Sequence, residues 1–262
     1  MPPPLTMRRS RITSTINHQL VMKENAHLFY VPDAKNAIVG QQIYLDEDES
    51  AHCAKVLRLR PGEIISVIDG CGHIYDAELT LCDKKCCGAT ITSISSDVYI
   101  RPYRNHVAIA PTKNIDRFEW FVEKAVEFGI DEITPLLCDH SERKVLKIDR
   151  LQKIVVSAVK QSGNVIMPVV NELTPYKDFI TNCKSACKMI AHCEPQDKKF
   201  FSQNAAGFTD FCTLIGPEGD FSDNEIAIAL ANGFLPTSLG NTRLRTETAG
   251  VAVCAFLAER FG

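Results

Sequence analysis

Two glycine-bearing stretches near the C-terminus carry residue types suited to holding a charged or nucleotide-like ligand. The first is Ile215-Gly216-Pro217-Glu218-Gly219, at the end of the apolar run that starts at Phe211. The second is Leu239-Gly240-Asn241-Thr242-Arg243-Leu244-Arg245, running straight into Thr246-Glu247-Thr248-Ala249. Glycine accepts backbone angles that other residues resist and lets another molecule approach the main chain. Loops at the carboxyl ends of strands are where open α/β sheets bind ligands. A helix beginning near Thr246 offers free N–H groups and a positive dipole end, which stabilises Glu247 in its first turn. A purely local reading is also available. Gly216–Gly219 is then an ordinary turn, Thr246 a helix cap, Glu247 a dipole partner and Arg245 a surface charge.

Other chemistries lack their motifs. The chain has no G-x-G-x-x-G after the first strand of its α/β part and no Walker A loop. It has neither a G-x-S-x-G elbow nor an H-E-x-x-H pair. The formal charge of −3 excludes a general polyanion binder, so any nucleic-acid surface is a local patch. Eleven cysteines, an odd number in a chain of 262 residues, argue for reduced thiols and a cytoplasmic setting rather than a disulfide framework. Cys82, Cys86 and Cys87 form one group, and Cys183, Cys187, His192 and Cys193 another. Neither contains a Cys-x-x-Cys pair, so no metal is expected. No apolar run approaches the length of a membrane span, and no secretory pattern is present.

The elements that position the two loops follow from periodicity. Residues 1–22 hold three arginines and no acid, which reads as a disordered basic arm, a transit-like segment or an extension before a start at Met22. Residues 23–100 form the first domain. There "HLFYV", "QIYL", "EIISVIDG", "HIYDAELT" and "GATITSISSDVYI" read as short strands of a small β-barrel. "RLRPGE" is a turn, and "DKKCCG" is a hairpin tip. From 101 to 262 strands alternate with helices, which implies a parallel sheet. Strands are expected at 106–112, "DEITPLLC", 187–193, 211–216 and 235–240. Helices are expected at 116–129, 149–163, 223–233 and 246–261. Phe118, Phe121, Val122, Ala125, Val126 and Phe128 recur at helical spacing, with Gly129 as the stop. Ser222 with Glu225 three residues later forms a capping box.

Taken in order, "APTKNIDRFEWFVEKAVEFGIDEITPL", "AVKQSGN", "MPVV", "LIGPEGDFSDNEI" and "LGNTRLRTETAGVAV" resemble the RsmE family of SPOUT-class methyltransferases. That family modifies N3 of a uridine in small-subunit (16S) ribosomal RNA. "HLFYV" and "HCAKVLRLRPGEIISVIDGCGHIYDAEL" resemble its PUA-like RNA-binding domain. The resemblance runs from about residue 27 to 260. It implies an α/β fold with a C-terminal trefoil-knotted parallel sheet domain behind the β-barrel. It also implies S-adenosylmethionine as cofactor and a homodimer. The substrate would be the RNA or the assembled small subunit.

Carried onto this sequence, the cofactor loop is Ile215, Gly216, Pro217, Glu218 and Gly219. Leu239, Gly240, Leu244, Arg245 and Thr248 supply the other wall, with His192 and Cys193 beside them. Arg245 is expected to steady charge developing on the base, and Glu218 or Glu247 to accept its proton. RNA contact is expected from His52, Arg58 and Arg60 in the barrel, and from Lys113, Arg117, Lys124, Arg143, Lys144, Lys147 and Gln161 in the second domain. Three positions depart from common relatives. Asp220 stands where many have glycine, Asn164 where a basic residue is usual, and Thr242-Arg243 for Arg-Ile. Two other readings remain open: a ribosome-assembly factor on this fold without turnover, and a SPOUT enzyme for another RNA base.

Overall fold

The computed structural model describes residues 27–95 and 101–261. The basic stretch 1–22, the end of the last barrel strand and the expected domain boundary at 100 lie outside the described residues. The first unit is a five-stranded sheet of β1 (Leu28–Tyr30), β2 (Gln42–Tyr44), β3 (Ile64–Ile68), β4 (Ile74–Cys82) and β5 (Cys87–Ser95). Its order is β1-β3-β4-β5-β2, with only the β1–β3 pair parallel. Alternation along β4 turns Tyr75, Ala77 and Leu79 into a core with Phe29, Ile43 and Ile65. The barrel is thus a PUA-like sheet wrapped around that core, with β1 and β2 as its edges.

Besides a short 3-10 turn at Pro32–Ala34, this unit has one longer helical part. Between β2 and β3 lies α1 (Glu47–Ala51), continued by a π-helical turn, His52–Leu57. The Asp46 carboxylate accepts the Glu49 N–H at 2.7 Å, and Glu47, Asp48 and Glu49 sit at the positive end of the helix. The turn stops at Arg58, whose φ of 56° is left-handed.

The second unit carries β6 (Arg104–Ile109), α2 (Ile115–Glu127), β7 (Glu132–Leu137), α3 (Ile148–Ser162), β8 (Val169–Val170), β9 (Thr174–Pro175) and α4 (Tyr176–Asn182). It continues with β10 (Cys187–Ala191), β11 (Lys199–Phe200), α5 (Phe201–Asn204), β12 (Asp210–Ile215), α6 (Asp223–Ala231), β13 (Leu235–Ser238) and α7 (Thr246–Phe261). The sheet order is β11-β13-β10-β12-β6-β7-β8, all parallel, with β9 added on β7. The long elements lie where periodicity put them. The two-residue strands, α4 and α5 are too short to leave a periodic signal. Phe128 differs from the helical spacing: it falls just past α2 and is 40% exposed, and Gly129 then turns the chain at φ 79°. The two units are joined by backbone pairing, Gly72 N–H to Val165 O at 3.1 Å and Met167 N–H to Gly70 O at 2.9 Å. Lys160 also reaches the buried Glu49 carboxylate at 2.6 Å.

The path near the C-terminus decides where the two glycine loops meet. β13 lies on the far side of β10, yet α7 packs against α2, β6 and β12. The chain must therefore return across the carboxyl ends of β10 and β12 between Ser238 and Thr246. This return makes the trefoil-knotted arrangement. It depends on a close approach of α7 to α2: a Cβ at Gly250 would lie 2.5 Å from the ring of Phe121, which is fully buried. Gly250→Ala is expected to lower stability by about 1–3 kcal/mol, read as a lower midpoint in urea unfolding. An unchanged midpoint would mean that the two helices are not in contact there.

Candidate active site

Three strand ends and one helix start enclose a cavity of about 740 Å³. β10 contributes Ala191, His192 and Cys193; β12 and its loop contribute Ile215 to Glu218 and Asp220; β13 and the return segment contribute Thr237 to Arg245. Thr246, Glu247 and Ala249 of α7 complete it, with Arg117 from α2 and Lys198 at the rim. This is the carboxyl edge of a parallel sheet, where strand ends leave room for a ligand.

The residues 216–222 are held from several sides. Thr246 Oγ1 donates to Gly216 O at 3.0 Å, joining the start of α7 to the first loop. A Cβ on Gly216 would press on the Phe221 ring and backbone at 3.2 Å, so a larger residue there needs Phe221 to shift. Ser222 caps α6, and the Glu225 carboxylate accepts both the Ser222 N–H and the Asp139 N–H at 2.9 Å. The capping box read from sequence therefore also ties α6 to the loop after β7. Lys113 N–H donates to Glu218 Oε1 at 2.9 Å, bringing the loop after β6 to the same place.

Asp220 explains one departure. Its φ of 62° is left-handed, which is why glycine suits this position in relatives. Its carboxylate accepts the Cys193 N–H at 2.6 Å and the Phe221 N–H at 2.8 Å, linking the first loop to the end of β10. Asn164 is likewise engaged close by, its amide donating to Val126 O at 2.7 Å near the end of α2.

Electrostatics separate occupied groups from free ones. The His192 side chain lines the cavity, and its Nδ1 is buried without a hydrogen-bond partner. Burial, and then Lys198, hold His192 below the usual histidine range, so it is neutral. Burial and Asp220 push the Cys193 thiol up, which removes it as a poised nucleophile. Glu247 is buried, 3.9 Å from the Arg117 Nε. The Arg245 side chain is exposed at the cavity wall and makes no hydrogen bond or ion pair among the described residues.

Of the expected cofactor residues, His192, Cys193, Ile215, Gly216, Pro217, Glu218, Leu239, Gly240, Leu244 and Arg245 all line the cavity; Gly219 and Thr248 do not. A Cβ on Gly219 would instead meet His140 at 3.2 Å. Glu247 also lines it. Among the expected RNA contacts, His52, Arg58, Arg60, Lys144, Lys147 and Gln161 are exposed, whereas Arg117 reaches the cavity. Lys113 pairs with Glu142 at 2.8 Å, and Lys124 with Glu123 and Glu127. Arg143 is turned inward, donating to Thr112 O at 3.1 Å and Lys113 O at 2.7 Å. These bonds support the loop after β6. Lys198, Thr237 and Ser238 also line the cavity; the sequence placed Thr237 and Ser238 in a strand but assigned none of the three a ligand role.

Residues 100–258 match the model of an RNA methyltransferase domain, and residues 45–94 that of an RNA methyltransferase PUA domain. The chain is 28% identical over 230 residues to Ribosomal RNA small subunit methyltransferase E of Buchnera aphidicola, covering 84% of this chain and 89% of that protein. A crystal structure of a probable rRNA-methyltransferase from Porphyromonas gingivalis is 37% identical, with a TM-score of 0.80 over 89% of this chain and 98% of its own. A Ribosomal RNA small subunit methyltransferase E from Neisseria gonorrhoeae, solved bound to S-adenosyl methionine, is 29% identical with a TM-score of 0.80, covering 90% and 98%.

The Asp220 geometry makes a graded prediction. Asp220→Gly loses the acceptor for Cys193 N–H but keeps the left-handed backbone. Asp220→Ala loses both and is expected to be about 1 kcal/mol less stable than the glycine variant. Equal unfolding midpoints for the two would show that the turn relaxes out of that conformation.

Proposed function

The chain belongs to the RsmE family of RNA methyltransferases, and from that premise we propose that it methylates N3 of a uridine in small-subunit ribosomal RNA, using S-adenosylmethionine. The observation that carries the reading is the cavity at the carboxyl ends of β10, β12 and β13, walled by both glycine loops and opening beside an uncommitted arginine. The residues present fit the cofactor. A volume of about 740 Å³ suits a nucleoside-sized ligand. The buried Nδ1 of His192 lacks a partner, and Gly240 is exposed with open space where a Cβ would stand. Ile215 to Gly216 and Leu239 to Arg245 are the segments that would hold it. When bound, it supplies an electrophilic methyl group on a sulfonium.

The remaining chemistry falls to this chain. A uridine imide is a poor nucleophile until N3 loses its proton, and negative charge then spreads over the ring carbonyls. Arg245, its side chain free of any other partner, is the group to stabilise that charge. Glu218 is the better proton acceptor of the two carboxylates. One of its oxygens is fixed by Lys113 N–H, and the other has no partner among the described residues. Glu247 is already paired with Arg117. N3 chemistry needs no thiolate attack on the ring, in keeping with the raised Cys193 thiol. The base would be drawn out of its stack into the cleft. Asp220 and Asn164 both have local structural roles here, so neither favours a fold without turnover.

A second copy is part of the reading. Helix α7 is apolar almost all round, and Val251, Ala252 and Ala255 remain partly exposed on it. Covering that face with the same face of another copy would bring two cavities together. Ala252→Arg is expected to shift the protein from dimer to monomer in sedimentation velocity. A wild-type protein that sediments as a monomer at micromolar concentration would remove the dimer from the proposal.

The deciding experiment supplies labelled S-adenosylmethionine and small ribosomal subunits lacking the modification, then identifies the product nucleoside by mass spectrometry. The expected product is 3-methyluridine. Arg245→Ala is expected to lower kcat by about 10²–10³ at saturating RNA, the usual loss for one oxyanion-type donor. Full turnover by that variant would rule out its charge-stabilising role. A different methylated nucleoside would redirect the reading to another base.

A further inference from the structure

The structure assembles a cysteine cluster that sequence proximity does not suggest. Cys82 and Cys87 face each other across the β4–β5 hairpin, and Cys53 joins them from the π-helical turn. Cys86 pairs instead through its backbone with Asp83 in the turn. Neighbouring residues on a strand point to opposite faces, so Cys87 faces the cluster and Cys86 does not.

Sulfur-to-sulfur distances are 3.8 Å for Cys53–Cys82 and 3.7 Å for Cys82–Cys87, and all three sulfurs lie within 4.8 Å of one another. Four thiolates about a tetrahedral zinc at about 2.3 Å are separated by about 3.8 Å. Two edges of the triangle already have that length. Cys53 and Cys87 are fully buried and Cys82 is half-buried, so the cluster is shielded while one side stays reachable. Backbone carbonyls of Leu59 and Asp83 lie 3.1 Å and 3.3 Å from the nearest sulfurs.

We propose that Cys53, Cys82 and Cys87 form a three-thiolate site for a zinc-class ion, with the fourth position filled by water or a backbone carbonyl oxygen. Binding one Zn²⁺ forms three Zn–S bonds and releases three thiol protons to solvent, with no change of oxidation state. An odd set of three sulfurs suits a metal better than a disulfide, which would strand one of them. The bound ion fastens the helical turn to the hairpin. Arg58 and Arg60 follow that turn directly, so the ion sets the barrel face on which the proposed RNA contacts lie. The site is remote from the cofactor cavity, and its test is independent of methyl transfer.

The full chain, purified in reductant and free of any histidine tag, is titrated with Co²⁺. One equivalent per chain is expected, with sulfur-to-cobalt charge-transfer absorption and the intense visible bands of tetrahedral cobalt, both bleached by added Zn²⁺. Loss of outer-shell partners alone weakens metal sites about tenfold or more, so Cys82→Ser and Cys87→Ser are each expected to weaken binding at least that much. Cys86→Ser and Cys71→Ser are expected to bind as the wild type does. Zinc is also expected to raise the unfolding midpoint of the wild type, Cys86→Ser and Cys71→Ser, but not of Cys82→Ser or Cys87→Ser. The wild-type titration decides even where a buried-cysteine variant fails to fold. Absence of the charge-transfer band in reduced wild-type protein overturns the proposal. So does a band that survives in both the Cys82 and Cys87 variants, or a Cys82–Cys87 disulfide in protein kept in reductant.

Discussion

The site depends on one buried hydrogen bond, from Thr246 Oγ1 to the Gly216 carbonyl at 3.0 Å. It is the point where the chain, having crossed the sheet to form β13, comes back to start α7. Without it, a buried carbonyl at the end of β12 would lose its partner, at a cost of about 1–3 kcal/mol. The bond also sets the distance between two loops that are remote in sequence. Each glycine loop alone is only a turn. Held together at Thr246 and Gly216 they become two walls of one cavity.

The second layer makes the first loop stiff. Asp220 binds it to the end of β10, Lys113 N–H binds Glu218 to the loop after β6, and Glu225 binds the start of α6 to the loop after β7. Arg143 then supports the loop after β6 by holding the carbonyls of Thr112 and Lys113. Every one of these partners is either a carboxylate on backbone N–H groups or a guanidinium on carbonyls. Charge-assisted bonds of that kind are shorter and stronger than neutral ones. Three residues that line the cavity keep polar groups without partners among the described residues: His192 at Nδ1, Glu218 at its second oxygen, and Arg245. Rigid support with unspent polar groups at the wall is what preorganised chemistry requires.

Much of this was legible in the sequence because it is local. Ser222 and Glu225 announce their helix, Gly129 its stop, and the apolar spacing from Phe118 to Val126 its buried face. Order along the chain, compared with a known family, named most residues of the cavity wall. What escaped is what only the third dimension assembles. Arg143 donates to the Thr112 carbonyl, 31 positions earlier, a contact that no local pattern announces. Cys53 lies 29 positions before Cys82, so no spacing rule groups them. The helix at Glu47–Ala51, capped by Asp46 with three acids after it, is not among the expected elements, because this domain reads as short strands throughout.

The division between committed and free cations bears on how this chain holds RNA. A net charge of −3 gives no long-range attraction to a polyanion. Lys113, Lys124, Lys153 and Lys160 are each paired with a carboxylate, and Arg143 donates to backbone carbonyls. Arg58, Arg60, Lys144, Lys147 and Arg245 make no ion pair among the described residues, and all are exposed. On single-stranded nucleic acid each phosphate contact contributes a slope of about −0.7 in the salt dependence of binding. A contact limited to these cations gives a shallow dependence and a weak grip on arbitrary RNA. Under the proposed function, selectivity then comes from geometry: an RNA that meets the barrel face at Arg58 and Arg60 would place its base at Arg245 in one arrangement. The backbone pairing of Gly70 and Gly72 with Val165 and Met167 fixes the two units relative to each other, so that arrangement is set before RNA arrives.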